Sequence, residues 1–503
     1  MIRPQIAIVA VRLTVRAAAL IVPLVTPLAA QVAAQGAAQG AAPQSPFDRT
    51  HAPTLAENPP LTVPVVLTSR LPNGPALHVV EQHELPLVQV TLSIAGGGRL
   101  DRDLPGLATF TANLLDEGAG KRDANALQSE LAFLGASLST GANWDATTIS
   151  LKVARRNLEA ALNLMADVVL RPTFSATEVR RQRDLRLAAL LQQKDQPGAL
   201  ANLAFCQTLF PVGHPYRNAL GGDSASTARL DSALVREFHR SGLRPERATF
   251  YVVGDLTAAD AQRLIGARFR GWVASGVERR PAPVLVAPTP ARGLQVILVD
   301  KPGAAQSVII IGTTGLERTS ADYAAVEVMN TILGGSFSSR LMTNLRETKG
   351  YTYGVSSGFA YRPLPGPFTT SSSVRTDVTD SSLVEIFKEL QAIRATPVSA
   401  EELARAKAYL TLAVPGDLES TSQIAGQMAG LANWNLPLAW LREYVTRVNA
   451  VSSADVQRVA KQFLPAENAY VVVVGDLSRI RSGIEALALG PVTVRAVSTI
   501  AHE

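Results

Sequence analysis

The sequence VVGDL stands at Val252–Leu256 and again at Val473–Leu477. Each copy closes an apolar run that is typical of a buried strand, and each follows a similar order of predicted strands and helices. A five-residue match at the same place in two such orders is improbable by chance. The sequence therefore indicates an internal duplication of about 220 residues, which is too long for a solenoid repeat.

Each half of this duplication predicts an α+β layer, a mostly antiparallel sheet with helices packed on it. The fold class that we expect is α+β with two homologous domains. In the first half, strands are predicted at 77–81, 87–95, 137–142, 146–153 and 248–253. In the second half, they are predicted at 293–300, 307–312, 353–359, 368–375 and 469–474. Amphipathic helices are predicted between them, among them 106–120, 124–134, 157–169, 177–193 and 231–241.

The termini and the middle of the chain have different compositions from these two halves. Residues 1–34 have arginines first, then a short apolar run and then small residues, which is the pattern of a secretory signal. An uncleaved membrane anchor is the alternative. The other predicted segments are a flexible tether at 35–61, an N-terminal domain at 62–274, a Pro-rich linker at 275–292, a C-terminal domain at 293–488 and a tail at 489–503. We expect a periplasmic or secreted protein with no membrane segment after the signal is cleaved.

The overall composition is that of a folded protein. The 503 residues are 47% hydrophobic and 18% charged, and the formal net charge is +6. No block of Lys and Arg indicates nucleic-acid binding. Cys206 is the single cysteine, so an intrachain disulfide and a cysteine-based metal site are both excluded.

Several short motifs occur in an order that is known from one family. They are AGGGR at 95–99, GLA at 106–108, GASL at 135–138, GHPY at 213–216, the two VVGDL strands and SRL at 339–341. Together they resemble the pitrilysin/insulinase family of zinc metallopeptidases over roughly residues 62–488. The resemblance is to the short bacterial members and to the subunits of mitochondrial processing peptidase.

Active members of that family bind zinc through His-x-x-Glu-His on the helix after the first Gly-rich turn, with a Glu ligand from a later helix. The resemblance places the two His at Thr109 and Asn113, the general base at Ala112 and the third ligand at Ala189. Gln182 takes the place of a further family Glu. Thr and Asn are poor zinc ligands, and Ala has no ligand atom. We therefore expect no cofactor in this chain and no peptidase activity from the chain alone.

The histidines suggest no replacement for that metal site. His78-x-x-Glu81-x-His83 has the closest spacing, but positions 78 and 83 of a strand point to opposite faces. Glu117 lies near the degenerate motif but has no His beside it. The histidines are interpreted as surface or turn residues.

The second half keeps a segment that resembles the family's substrate-binding Arg/Tyr pair. It reads LRETKGYTYGVSS at 345–357, which places the arginine at Arg346 and the tyrosine at Tyr353. The resemblance implies that both reach a zinc site in another domain or subunit. A guanidinium fork and a phenol can bind a peptide carbonyl and stabilise its developing negative charge. The alternative is that Arg346 pairs with Glu347 at the surface and that Tyr353 packs half-buried in a sheet.

Two further features could contact an extended peptide. The Gly-rich segment at Gly334, Gly335 and Ser336 resembles that of the non-catalytic mitochondrial subunit, although a helix-breaking turn would have the same composition. Edge strands near 88–95 and 307–312 could add a substrate strand by backbone pairing.

These observations favour a non-catalytic subunit of a heterodimeric zinc metallopeptidase. A homologous subunit would supply the zinc, and this chain would supply Arg346 and Tyr353 to orient an unfolded peptide. The alternative is a peptide-binding or structural pseudoenzyme with no role in proteolysis. A third possibility is an active enzyme with an unrecognised site.

Overall fold

The computed structural model describes residues 60–501, apart from 275, 277, 279, 282 and 466. The predicted signal and nearly all of the predicted tether lie outside these residues. From Leu61 onward the chain forms one compact unit. None of the described helices has both the length and the apolar character that a membrane crossing needs.

The strands of the described residues fall into two large sheets and one small hairpin. In chain order they are β1 Leu67–Arg70, β2 Ala76–Glu81, β3 Leu87–Ala95, β4 Gly118–Ala119, β5 Arg122–Asp123, β6 Ser137–Ala142, β7 Ala146–Ala154, β8 Ala248–Gly254, β9 Leu294–Asp300, β10 Gln306–Thr314, β11 Thr352–Phe359, β12 Pro367–Arg375, β13 Ala469–Gly475 and β14 Val492–Arg495.

The α-helices alternate with these strands. They are α1 Leu107–Asn113, α2 Ala124–Phe133, α3 Leu158–Leu170, α4 Ala176–Gln193, α5 Pro197–Leu209, α6 Ser224–Ala228, α7 Ser232–Gly242, α8 Ala258–Phe269, α9 Tyr323–Asn330, α10 Thr379–Ala395, α11 Ala400–Gly416, α12 Thr421–Ala432, α13 Trp440–Ala450, α14 Ser453–Phe463, α15 Leu477–Ala486 and α16 Val497–Ala501. Two π-helical segments, Thr331–Gly335 and Met342–Thr348, follow α9.

Five strands of each large sheet have the same order and directions, which confirms the α+β fold with two homologous halves. The strand orders of the two sheets are β1-β2-β8-β3-β7-β6 and, read from the opposite edge, β14-β9-β13-β10-β12-β11. The edge strands β1 and β14 differ, since β1 is antiparallel and β14 parallel to its neighbour. The two VVGDL strands, β8 and β13, take the same third position. Each is parallel to the strand before it, β2 or β9, and antiparallel to the strand after it, β3 or β10.

The glycine of VVGDL is needed where the strand meets its neighbour. Gly254 has φ +140°, and a Cβ there would lie 2.1 Å from the carbonyl oxygen of Leu87. A Cβ on Gly475 would lie 2.6 Å from Ser307 Oγ. The aspartate that follows makes a polar contact in both copies. Asp255 Oδ1 lies 2.7 Å from His83 Nδ1. Asp476 accepts a hydrogen bond from the Ser478 N–H at the start of α15.

The two halves are interlocked by an exchange of helices. Helix α5 of the first half packs on the second sheet, where Phe205 lies in one buried cluster with Ile297 and Ile310. Helix α12 of the second half packs against β3 and β8 of the first sheet, and Ser422 Oγ donates to Gln89 Oε1 at 3.0 Å. Each sheet therefore completes part of its core with a helix from the other half.

The prediction that 88–95 and 307–312 are edge strands is wrong. Strand β3 lies between β8 and β7, and β10 lies between β12 and β13. Strand β10 is apolar on both faces from Val308 to Ile311, and the middle of both strands is buried, which is typical of central strands whose backbone groups are already paired. In the described residues, the edges of the two large sheets are β1, β6, β11 and β14.

The predicted linker is anchored to the first half through Arg280. The Arg280 Nε donates to the Leu100 carbonyl at 2.6 Å, and Nη1 lies 2.8 Å from Glu237 Oε2. The segment after 488 is also ordered, because it carries β14 and α16.

Candidate functional site

The helix at the degenerate zinc motif is held by a buried aspartate. Asp101 accepts hydrogen bonds from the backbone N–H groups of Gly106 at 2.8 Å and Ala108 at 2.7 Å, at the start of α1. Burial raises the pKa of Asp101 to about 7, against the lowering effect of those two N–H groups and of the Arg280 charge. The glycine at 106 is required, because it has φ +93° and packs on the Gly221 carbonyl.

The structure brings together three of the five positions that the resemblance aligns with the family's zinc site. Thr109 and Asn113 of α1 and Gln182 of α4 line one cleft of about 480 Å³, together with Arg186. Ala112 is completely buried on the inner side of α1, so it does not share the open face of that helix with Thr109 and Asn113. Ala189 is exposed on α4.

The side chains of this cleft do not fit a zinc ion. The Thr109 hydroxyl donates to the Gly106 carbonyl at 2.9 Å, as a helix threonine commonly does. Glu117 is already bound by Arg181, at 2.6 Å, and by the amide of Gln182. Among the described residues, no three His, Cys, Asp or Glu side chains are grouped as a metal site requires.

The described histidines are engaged elsewhere. His83 contacts Asp255, while His78 stacks on Tyr251 with ring centroids 5.5 Å apart. His214, in the GHPY turn, is buried against Phe210 with centroids 4.7 Å apart. The GHPY histidine is thus a buried turn residue rather than a surface one.

Arg346 and Tyr353 lie side by side in the second half. The Arg346 guanidinium is held between two aromatic rings, those of Tyr353 and Phe337, with its Cζ 4.7 Å from each ring centre. Arg346 also pairs with Glu347 at 3.2 Å. Tyr353 is 84% exposed, so the alternative of a half-buried tyrosine is wrong.

Phe337 was not singled out by the sequence reasoning. Phe337 is 66% exposed and lies against the Arg346 guanidinium. Its place in GGSF, directly after the Gly-rich segment, was the available signal. Only the fold shows that this loop returns to Arg346.

An irregularity in β11 turns Tyr353 outward. Thr352 pairs with Val374 and Val355 pairs with Ser372, so the register shifts between them, as in a β-bulge. Bulges re-aim side chains and are frequent beside active sites. Since β11 is an edge strand, Tyr353 projects from an open edge of the sheet.

Acidic side chains of two neighbouring helices fix the position of the helical segment that carries Arg346. Arg340 makes two parallel bonds to Glu402 of α11, at 2.7 and 2.9 Å, and these bonds lower the pKa of Glu402 to about 2. The Asn344 amide donates to Glu385 and Glu389 of α10. Arg346 therefore sits on a segment whose own position is determined by packing and charge-assisted hydrogen bonds.

The Gly-rich segment divides into a packed part and a surface part. Gly334 is buried, and a Cβ there would lie 2.7 Å from the Ser357 backbone nitrogen. Gly335 is exposed, and Ser336 donates to the Thr331 carbonyl at 3.0 Å. Gly334 is thus explained by its packing on β11, whereas Gly335 and Ser336 lie at the surface.

Two family models match this chain over more than half of its length. The insulinase model (peptidase family M16) matches residues 78–210, and the model described as the peptidase M16 inactive domain matches residues 229–410. The chain belongs to peptidase family M16. The first M16 match contains α1 and α4 with the degenerate ligand positions, and the second contains the Arg346 segment.

Relatives and solved structures agree with this M16 assignment. An uncharacterized zinc protease of Mycobacterium leprae is 28% identical over 299 residues, which span 58% of this chain and 65% of that protein. A probable mitochondrial-processing peptidase subunit beta of Arabidopsis thaliana is 22% identical over 85% of this chain and 81% of its own length. The crystal structure of a peptidase M16 inactive domain from Pseudomonas fluorescens is 29% identical, with a TM-score of 0.75 over 82% of this chain and 98% of that one.

Proposed function

We propose that this M16 chain is a non-catalytic subunit of a heterodimeric zinc metallopeptidase. A homologous partner would supply His-x-x-Glu-His and its zinc ion. This chain would supply Arg346 and Tyr353, which bind and orient an unfolded peptide at the partner's site. The proposal includes a periplasmic or secreted location, which follows from the pattern of residues 1–34.

The observation that carries the proposal is the contrast between the two halves. The first half has lost every metal ligand, whereas the second keeps Arg346 stacked between two exposed aromatic rings. Phe337 and Tyr353 are both exposed beside Arg346, so these rings are accessible to a partner or a ligand. A guanidinium held by stacking keeps its in-plane N–H groups available for a carbonyl oxygen.

The open edge of β11 supports peptide binding beside this pair. An unpaired strand edge can bind an extended peptide through backbone hydrogen bonds. The Tyr353 hydroxyl has no hydrogen-bond partner among the described residues, so it is available to donate to such a peptide. Both donors together could hold the carbonyl of the bond that the partner cleaves.

The test is reconstitution with a homologue from the same organism that carries His-x-x-Glu-His. The two chains are purified separately and mixed, and the cleavage of internally quenched peptides is measured. We expect activity from the mixture that exceeds the sum of the separate chains. Arg346→Ala should lower kcat/KM at least tenfold, while Arg481→Ala, an exposed arginine on α15, should leave it unchanged.

Two results would contradict the proposal. One is full activity of the mixture with Arg346→Ala, and the other is activity of the zinc-bearing homologue that is independent of this chain. A stable complex without any effect on cleavage would instead favour the structural or peptide-binding pseudoenzyme.

A further inference from the structure

The cleft at α1 carries a positive charge and no negative one among the described residues that line it. The charge is Arg186 of α4, which is half-buried. Its Nε donates to the Gly221 carbonyl at 3.1 Å, and no described carboxylate forms an ion pair with it. The Nη groups have no hydrogen-bond acceptor among the described residues.

Two glycines leave the space that the Arg186 guanidinium occupies. A Cβ on Gly221 would lie 1.5 Å from Arg186 Nη2, so the guanidinium can pack there only because the side chain is missing. A Cβ on Gly106 would lie 2.4 Å from the Gly221 carbonyl oxygen, so α1 approaches the same loop closely. Burying a cation without a counter-charge costs free energy, and this burial also lowers the pKa of Arg186.

The neighbours of Arg186 are neutral and polar. Asn113 is exposed to the cleft, and its amide has no hydrogen-bond partner among the described residues. Glu117 is the acid that contacts Gln182, but it does not line the cleft, and Arg181 neutralises it at 2.6 Å. The charge of Arg186 is therefore not compensated from outside the cleft either.

We propose that this cleft binds a carboxylate of a peptide, with Arg186 as the counter-ion. The planar guanidinium fork matches the two oxygens of a carboxylate. Its single positive charge balances a monoanion, whereas a phosphate dianion would retain a partly buried negative charge without a partner. Where active M16 members would hold a metal ion, this chain holds a fixed cation.

The ligand is a peptide because an open strand edge borders the cleft. Gly141 and Ala142 of β6 line it, and β6 is an edge of the first sheet. An extended chain could pair with β6 while its carboxylate reaches Arg186. The choice of a peptide rests on the proposed function, whereas the preference for a carboxylate rests on Arg186. The carboxylate could come from the C-terminus or from an acidic side chain.

The experiment compares three peptides of one neutral sequence, each carrying an uncharged fluorophore at its N-terminus. The first has a free C-terminal carboxylate, the second a C-terminal amide, and the third an amide with one internal Glu. Their Kd values for the purified chain are measured by fluorescence anisotropy. We expect the first or the third to bind at least tenfold more tightly than the neutral amide, which also identifies the source of the carboxylate.

Three variants test whether the preference for a carboxylate depends on Arg186. Arg186→Gln should abolish the tenfold difference, and Arg186→Lys should reduce it, because it keeps the charge without the fork. Arg180→Gln is the matched control, since Arg180 is exposed on the same helix and does not line the cleft. A measurement on the unaltered chain is independent of folding defects: sodium acetate should weaken binding of the acidic peptide more than sodium chloride at equal ionic strength.

The outcomes that would overturn the inference are distinct from failure of the proposed function. Equal Kd values for all three peptides, equal effects of the two salts, or a preference that persists in Arg186→Gln would overturn the carboxylate site alone. Full cleavage activity of the reconstituted pair with Arg346→Ala would overturn the proposed function alone. A chain that binds none of the peptides would overturn both.

Discussion

The Arg346 guanidinium carbon lies 4.7 Å from the centre of the Tyr353 ring. The two residues come from different elements, a π-helical segment and a bulged edge strand. A cation held against an exposed ring gains about 0.5–1 kcal/mol. This contact limits the directions in which the guanidinium can point, and it leaves the Tyr353 hydroxyl toward solvent.

Phe337 is expected to position Arg346 from the other side. Phe337→Ala removes one of the two rings, so kcat/KM of the reconstituted peptidase should fall by about two- to fivefold, which corresponds to one exposed cation–π contact. Phe337→Tyr keeps a ring and should retain the activity. The control is Phe133→Ala on α2, where the phenylalanine is 87% exposed. An equal loss in both alanine variants would mean that Phe337 has no specific role.

Tyr353→Phe separates the hydroxyl of Tyr353 from its ring. The ring contact with Arg346 remains, but the donor to the substrate carbonyl is lost. Because hydrogen bonds to charged groups contribute roughly 1.5–3 kcal/mol, we expect kcat to fall at least tenfold, with a smaller change in KM. The Tm should not change, because the side chain is exposed. Tyr409→Phe, at a tyrosine that is 57% exposed on α11, provides the comparison, and equal kcat values in the two variants would disprove the role of the hydroxyl.

The exchange of helices predicts a large effect from a small substitution in β10. In Gly312→Ala, the new Cβ would lie 2.5 Å from Phe205 Cζ of α5 and 2.7 Å from the Phe368 carbonyl. Since a neighbouring backbone cannot move away easily, we expect a loss of about 1–3 kcal/mol in the free energy of unfolding. Gly426→Ala on α12 has open space around the new methyl group, and it should stabilise the protein by about 0.5–1 kcal/mol. Urea unfolding of both variants tests this pair, and a stable Gly312→Ala protein would show that α5 is not tightly seated.

Asp101 predicts that stability depends on pH in a definite direction. Its pKa is about 7 in the folded protein and 3.8 for an ordinary solvated aspartate, so between these pH values the folded state holds a proton that the unfolded state has released. The free energy of unfolding should therefore fall as pH rises from about 4 to about 7, by up to about 1.4 kcal/mol per pH unit.

Partly buried Asp116 and Glu327 also have raised pKa values, so their contributions have the same sign and must be separated from that of Asp101. The difference between the unaltered chain and Asp101→Asn isolates the Asp101 contribution. Asp103→Asn, two residues away and exposed, is the control. Parallel pH profiles for the unaltered chain and Asp101→Asn would contradict the assignment.

The internal duplication was predictable because its signal is local. The VVGDL strands are apolar runs, and the glycine that ends each of them packs closely on the neighbouring strand, β3 or β10. The edge positions were not predictable in the same way. Strand β3 alternates between apolar and polar residues like a surface strand. The neighbours of β3 and β10 in the sheets, β8 and β13, come from residues about 160 positions farther along the chain, a separation that local patterns do not report.

Some residues of the candidate site were predictable from the sequence, and others were recognisable only in the fold. The absence of His and Glu at Thr109, Asn113 and Ala189 is a property of the sequence, and so is the presence of Arg346 and Tyr353. Arg186 could not be recognised, because nothing in its local sequence distinguishes it from an ordinary surface residue, and the only local signal for Phe337 was its place after the Gly-rich segment. Arg186 becomes unusual only through Gly221, and Phe337 only through Arg346.

The sequence by itself determined the fold class, the M16 resemblance and the loss of zinc ligands, because each depends on residue type and spacing along the chain. Only the tertiary structure decided which strands are edges, that α5 and α12 cross between the halves, and that Thr109 and Asn113 line one cleft with the Arg186 guanidinium. These features depend on contacts between residues that are far apart in the chain, and their free energies come from burial and from charges that meet only after folding.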